Sequence, residues 1–499
     1  MGFPWAPALL ALYYLILVVL AFFGMHRLFL VLCYLRTRRR RPERPPDPAV
    51  WPVVTVQLPL YNEMYVASRL IDSVCALDYP ADRLEIQVLD DSTDETSEIV
   101  ARSVAEHRAR GVDIHHLRRT ERTGFKAGAL EAGLAKSRGE FLVVFDADFV
   151  PNSDFLQVSV PYFADPQLGL VQGRWDHLNR EYSLLTRVQA ILLDGHFFIE
   201  HIGRNRTGRF FNFNGTAGIW RRRAIEDSGG WEHDTLTEDL DLSYRAQLRG
   251  WKFLYLPELA VPSELPVDIN GFKSQQYRWA KGSVQTGRKL LGRVLRTPLP
   301  WRVKFEALVH LTNNVSYALM FLLALLVFPA MLIRIGTSWK TVLLFDMPLF
   351  FGATVSVLIF YLASQSAVGI GWRKQLRYMP TLMGVGIGLS VNNARAVISG
   401  LFKEGGTFHR TPKYRIEKQG EDWLGKRYRS GRNLSFLIEL ILALYFAVVT
   451  VYAAFRGMWP SVPFLFLFVQ GYAYMAALSL LPAVAGWRDR RKAAIPVGG

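Results

Sequence analysis

Two blocks of apolar sequence bracket a long polar interior, and this layout restricts the fold more than any other feature of the chain. Residues 8–35 are nearly all apolar, and a bilayer-spanning helix needs roughly 20 such residues. A cleaved leader would start with positive charge and carry a shorter apolar core. Here the basic cluster Arg36, Arg38, Arg39, Arg40, Arg41 and Arg44 follows the segment instead. Basic flanks face the cytoplasm, so the N-terminus is expected outside. Further apolar segments lie at about 308–333, 341–363, 380–401, 434–455 and 460–484. The loop 403–432 carries nine Lys/Arg, and the tail carries Arg488, Arg490, Arg491 and Lys492. Keeping both inside gives five spans, provided that 380–401 lies in the membrane plane as an interfacial helix. Its Gly384, Gly386, Gly388, Asn392, Asn393 and Arg395 suit a lipid-facing span poorly. Six spans would put one of the two basic segments outside.

The interior reads as an α/β domain over 53–265, entered through a stiff linker, 36–52, that is rich in Arg and Pro. Strand patterns at 53–58, 84–89, 112–117 and 140–145 alternate with helical ones. The first helix is expected to run to about residue 76 and the second to stop at Gly111. A capping box, Ser92-Thr93-Asp94-Glu95, is expected to open the second, and the third covers 124–137. Such alternation predicts a parallel sheet with helices on both faces and ligands at the carboxyl ends of its strands. Three of the four strands end in polar clusters: Tyr61-Asn62-Glu63, Asp90-Asp91 and Asp146-Ala147-Asp148.

Four constellations suggest chemistry. Asp146 and Asp148 at a strand end can hold a hard divalent cation, although a lone Asp-x-Asp is equally an ordinary turn. Gly124-Phe125-Lys126-Ala127-Gly128 opens a helix whose N–H groups, with Lys126, suit a phosphate. Thr237 is a plausible N-cap for the helix beginning Glu238-Asp239. Acids there either favour the helix dipole or, for Asp239, act as general base in a pocket whose negative charge raises its pKa. Gln275, Arg278 and Trp279 lie on an amphipathic stretch, 271–295, leading toward the membrane. The indole can stack on a sugar and the arginine can fork onto a diphosphate; a membrane-edge aromatic beside a snorkelling arginine is the plainer alternative. The formal charge of +16 raises a nucleic-acid partner, but no zinc-ligand spacing or helix-turn-helix pattern supports one, and much of the excess flanks apolar blocks. With only Cys33 and Cys75, neither a disulfide framework nor a cysteine-rich metal site is expected.

Taken together and in order, Tyr61-Asn62-Glu63, Asp90-Asp91, Lys126-Ala127-Gly128, Asp146-Ala147-Asp148, Thr237-Glu238-Asp239 and Gln275-x-x-Arg278-Trp279 resemble the membrane-embedded processive glycosyltransferases of family 2. These are the cellulose and hyaluronan synthases, and Gln172-Gly173-Arg174-Trp175 and Phe213-Asn214-Gly215-Thr216-Ala217-Gly218 look most like the plant cellulose-synthase-like A and C types. The resemblance covers about 53–290 well and the membrane part in outline. It implies a Rossmann-like GT-A α/β domain in the cytoplasm, inserted in an all-α multi-span membrane domain. It further implies that Tyr61, Glu63 and Asp91, with Asp90 nearby, hold the base and ribose of a nucleotide-sugar donor. Lys126, Asp146, Gln275 and Arg278 would contact its diphosphate, and Asp146 and Asp148 would bind Mg²⁺ or Mn²⁺. Asp239 would be the base, with Glu238 and Thr237 beside it, and Trp279, Asn214 and Gly215 would meet the acceptor sugar. Phe408, Thr411 and Lys413 would belong to a gating loop. Two departures are Asp90-Asp91-Ser92 where Asp-Asp-Gly is usual, and no cyclic-dinucleotide-binding domain after the last span.

The organisation expected is a first span (1–35), the linker, the catalytic domain (53–265), interfacial helices with the Gln275-to-Trp279 motif (266–305), two spans (306–365), an interfacial helix and gating loop (366–432), two spans (433–485) and a basic tail (486–499). The expected activity is inverting, metal-dependent polymerisation of UDP-glucose or GDP-mannose into a β-linked polysaccharide, extruded through the protein's own channel in a plasma (inner) or Golgi-type membrane. The partners are the donor, the growing polysaccharide and the bilayer, with accessory export subunits or a second copy as additions and no nucleic acid. The rival readings are a transferase that modifies a lipid carrier and a catalytically silent export subunit.

Overall fold

The computed structural model describes residues 4–407, 410–428, 431 and 435–493. Its catalytic half is built on seven strands: β1 (Val54–Leu60), β2 (Leu84–Asp90), β3 (Ile114–Arg118), β4 (Phe141–Val144), β5 (Leu168–His177), β6 (Gly218–Arg221) and β7 (Lys252–Ser263). They are ordered β3-β2-β1-β4-β6-β5-β7. β1, β2, β3 and β4 run parallel, as the alternation predicts. The rest departs from an all-parallel sheet: β6 runs antiparallel to both β4 and β5, and β5 pairs in parallel with β7. Short β4 shows why the sheet stays dry. Phe141 and Val143 enter one core with Val54, Val56 and Ile86, while Leu142 and Val144 enter the other with Leu130, Phe213 and Trp220. The period of two along a strand delivers alternate residues to two helix-covered faces.

β1 lies between β2 and β4 with all three aligned, Leu60 opposite Asp90 and Gln57 opposite Val144. The chain winds away in opposite directions from this point, which opens a crevice beyond the strand ends. The polar clusters after β1, β2 and β4 therefore share one edge. After the N-terminal helix α1 (Ala6–Thr37), helices α2 (Ala67–Cys75), α3 (Thr96–Ala109) and α4 (Phe125–Lys136) follow the first three strands. The expected capping box does not form. α3 starts later, at Thr96, whose N–H donates to Asp94, and Ser92 Oγ instead accepts the N–H of Asn62 across the crevice.

Among the described residues, five helices are long and apolar enough to cross a membrane: Ala6–Thr37, Val315–Ile333, Val342–Val368, Ser435–Phe455 and Trp459–Leu481. The Met379–Phe402 helix is not among them. It packs on the Val315–Ile333, Ile269–Arg296 and Val462–Ala493 helices and buries most of its length. Its small and polar residues are there for protein contact. A Cβ on Gly388 would stand 2.7 Å from the Gly471 carbonyl oxygen, and Ser390 meets the Tyr472 hydroxyl at 3.1 Å. The helix is thus largely buried among its neighbours, with Ile398, Leu401 and Phe402 exposed at its C-terminal end. The Ile269–Arg296 helix joins the two halves, and its buried Lys273 donates to Glu439 of the Ser435–Phe455 span at 2.6 Å.

Candidate active site

The crevice holds roughly 1280 Å³ of empty space open to solvent, and most of the residues singled out in the sequence line it. Tyr61 and Glu63 follow β1, Asp91 follows β2, and Asp146 and Asp148 follow β4. Lys126 comes from α4, Asn214 and Gly215 from the turn before β6, and Glu238 and Asp239 from the start of the Glu238–Leu248 helix. Gln275, Arg278 and Trp279 close the membrane side, and Thr411 and Lys413 reach in from the basic loop. Phe408 lies outside the described residues. Asp90 takes no part in the lining. It is buried and accepts from His116 at 2.8 Å, the Ser97 hydroxyl at 2.7 Å and the Ser92 N–H at 2.8 Å. Burial alone would raise its pKa, but these hydrogen bonds outweigh it and hold the carboxyl at about 2. Asp91 follows the last residue of β2, and of the pair it is the one that lines the crevice.

Lys126 organises the centre. Gly124 adopts φ +72° and turns the chain into α4, and the Lys126 ammonium then donates to Asp146 Oδ1 at 2.5 Å and to the Gly215 carbonyl at 2.9 Å. Gly215 has φ +80°, and a Cβ there would come within 3.0 Å of Asp239 Oδ2. Glycine is what lets the Asp239 carboxylate approach this turn. Burial and the neighbouring Glu238 push the Asp239 carboxyl up to about 7, against the pull of Lys126. Glu238 is raised as well, chiefly by burial. Thr237 occupies the N-cap position without capping: its hydroxyl faces Thr286 at 3.3 Å and ties this turn to the Ile269–Arg296 helix.

The basic loop closes the other side. Lys413 donates to Asp148 Oδ2 at 2.7 Å and to the Glu264 carbonyl at 3.1 Å, and Arg278 donates to the Thr411 hydroxyl at 3.3 Å. Arg410 pairs with Glu63 at 3.3 Å. Burial lifts Glu63 to about 8, although Arg410 and Lys413 pull it down. Burial also lowers Arg278, to about 10, partly offset by Glu238, Asp146, Asp239 and Glu63. Asp146 and Asp148 supply oxygen atoms only, and each carboxylate already meets an ammonium group. That chemistry fits a hard divalent cation whose other ligands come from a diphosphate. Among the described residues, the one three-acid group within metal-ligating reach is elsewhere, at Glu232, Asp234 and Asp241, and Lys289 already bridges it.

Two lining residues carried no sequence signal. Arg122, in the loop before α4, stacks its guanidinium 3.3 Å from the Tyr61 ring centroid. Glu264, just after β7, is buried and accepts the N–H groups of Tyr414 and Arg415, which docks the basic loop. A third, Trp175, was visible as part of a motif; its indole stands 6.3 Å from that of Trp279.

A family model described as "Glycosyltransferase like family 2" covers residues 52–282. Glucomannan 4-beta-mannosyltransferase 7 of Arabidopsis thaliana is 33% identical over 492 residues, 93% of this chain and 85% of that protein. Glucomannan 4-beta-mannosyltransferase 1 of Cyamopsis tetragonoloba is 39% identical over 317 residues, 62% of this chain and 60% of its own. Among solved structures, mannosyltransferase PcManGT from Pyrobaculum calidifontis, determined with GDP-Man and Mn²⁺, superimposes with a TM-score of 0.53. It is 22% identical and covers 78% of this chain and 99% of its own, a likeness of fold. The catalytic half is a GT-A domain and the remainder a helical membrane domain. Because the likeness to the Arabidopsis enzyme runs through catalytic and membrane halves alike, the chain belongs to the family 2 glycosyltransferases of the cellulose-synthase-like A type, and it is a hexosyltransferase.

Proposed function

We propose that the chain is an inverting β-mannosyltransferase that extends a mannan or glucomannan from GDP-mannose. The observation that carries this reading is the placement of Asp239, a half-buried carboxyl raised to about 7, in one crevice with Asp146, Asp148, Lys126 and Arg278. Such a carboxyl is suited to accepting a proton near neutral pH. Asp239 takes the proton of the acceptor hydroxyl as that oxygen attacks the anomeric carbon from the face opposite the leaving diphosphate, giving inversion. Lys126, Arg278 and Lys413 face the departing charge, and Trp279 stacks on the acceptor ring. Mg²⁺ or Mn²⁺ held by Asp146 and Asp148 would neutralise part of the diphosphate charge. The names of the relatives favour GDP-mannose over UDP-glucose.

Processive extension with extrusion through the spans is part of the same proposal. Its support is that Gln275, Arg278 and Trp279, which line the crevice, stand on the Ile269–Arg296 helix that joins the catalytic and membrane halves. The basic flanks of the spans favour a cytoplasmic catalytic domain and an external N-terminus. The test is transfer from radiolabelled GDP-mannose and UDP-glucose offered in parallel to the purified protein with Mg²⁺ or Mn²⁺, followed by digestion with linkage-specific glycanases. A long mannanase-sensitive product from GDP-mannose is expected. A single sugar on an organic-extractable lipid would overturn polymerisation, and a product made only from UDP-glucose would overturn the donor.

A further inference from the structure

Asn214 enters the crevice beside Gly215 and Asp239, and its amide is gripped from behind by two histidines of a π-helical segment, Gly195–His201. We propose that His196 and His201 are positioning residues that fix the Asn214 amide in the one orientation that presents it to the acceptor sugar. The inference rests on the acceptor-side reading of this crevice given above.

The hydrogen bonds settle the orientation. His196 Nδ1 stands 3.1 Å from Glu200 Oε2, and a carboxylate only accepts, so Nδ1 carries the proton. The Nε2 of neutral His196 is then an acceptor, and it takes an N–H from Asn214 Nδ2 at 2.9 Å. His201 Nε2 lies 3.2 Å from the Asn212 carbonyl, another pure acceptor, so this nitrogen carries the proton. It therefore donates to Asn214 Oδ1 at 2.7 Å. Two acceptor-only groups, Glu200 and the Asn212 carbonyl, thus dictate opposite tautomers, and the tautomers dictate which end of the amide is which. The rings lie close, with centroids 4.2 Å apart and planes tilted by 58°, and the Asn214 backbone N–H donates to Gln172 Oε1 at 3.1 Å. One N–H and one lone pair of the amide remain for a ligand, the pair that a sugar hydroxyl can match.

The clamp is braced to the membrane half. Arg204 donates to Glu200 at 3.2 Å and to Glu306 at 2.8 Å, and Glu306 meets His26 of the Ala6–Thr37 span at 3.1 Å. Burial works against an ionised Glu200, yet Arg204 and His196 hold its carboxyl well below the usual range. It stays an acceptor, as the tautomer argument needs.

The test compares His196→Phe, which keeps a ring but no nitrogen, with His196→Gln, whose Oε1 can accept from Asn214. Initial rates are measured in detergent against GDP-mannose and against a short 4-linked β-manno-oligosaccharide, with melting temperature as the control for folding. His196→Phe should raise the acceptor KM roughly three- to tenfold, the worth of one neutral hydrogen bond, and leave the donor KM unchanged. His196→Gln should restore most of the loss. Equal rises in both KM values, or failure of Gln to rescue where Phe impairs, would overturn the clamp. If His196→Phe does not fold, Asn214→Asp takes its place, since it sets an oxygen against the His196 lone pair; an unchanged acceptor KM there would equally overturn the idea. Trp279→Ala separates the two readings. If it leaves the acceptor KM untouched, the acceptor-side assignment falls; if it raises that KM while His196→Phe does not, only the clamp falls.

Discussion

The raised carboxyl of Asp239 predicts an acid limb in the rate profile and the direction in which neighbours move it. A base must be ionised to accept a proton. With its pKa at about 7, about half of Asp239 is charged at pH 7 and about one part in eleven at pH 6. kcat/KM for the acceptor should therefore fall roughly fivefold from pH 7 to pH 6, and about tenfold for each further unit. An unperturbed aspartate at 3.8 would give a flat profile over that range. Two substitutions should shift the limb in opposite senses. The Lys126 charge lowers the Asp239 pKa and the Glu238 charge raises it. Lys126→Met should move the limb to higher pH, and Glu238→Gln should move it lower. The position of the limb is the readout, because both variants also lower the plateau. The assay is initial-rate sugar transfer in a constant-ionic-strength buffer from pH 5.5 to pH 8.5. A flat wild-type profile below pH 7, or a Lys126→Met limb moved downward, would refute the reasoning.

Three further outcomes follow from the packing around the crevice. Lys413→Ala removes a charge-assisted contact to Asp148, so the donor KM should rise roughly tenfold or more. Asp90 is lowered from 3.8 to about 2 in the folded chain, so it adds roughly 2 kcal/mol of stability that is complete above about pH 5 and fades as the pH falls toward 2. Asp90→Asn should accordingly lower the melting temperature at neutral pH, and activity per folded molecule should hold. Glu439→Gln leaves the Lys273 ammonium buried without its counter-charge and should cost roughly 3–5 kcal/mol, read as a lower melting temperature in detergent. Lys273→Met with Glu439→Leu should recover much of that loss.

The parallel core of the sheet was legible because buried strands write themselves as short apolar runs, and because strands that end in acids at one edge share a crevice. The antiparallel strand β6 was harder to read. It is four residues long and follows irregular chain, so no periodicity marks it. The pair Asp90-Asp91 offered two carboxylates to one site, and only Asp91 lines it. Arg122 and Glu264 acquire their positions from tertiary packing: one stacks on Tyr61 and the other docks a loop about 150 residues away in sequence. Nothing local distinguishes them from any surface arginine or glutamate. The Met379–Phe402 helix shows the converse. Its glycines and asparagines marked a segment poorly suited to a lipid-facing span, but which helices it packs against is visible only in the tertiary structure.

The central claim is that Asp239 is the base for sugar transfer in this crevice. Asp239→Asn keeps the shape and removes a half-buried group that is costly to ionise, so the variant should fold as well as the parent protein. The measurement is transfer of radiolabelled mannose from GDP-mannose at pH 7.5 by wild type and Asp239→Asn, alongside direct donor binding to both. The account predicts unchanged donor binding with transfer lowered by at least about a hundredfold, the worth of a positioned general base. Transfer by Asp239→Asn within a few-fold of wild type would contradict it.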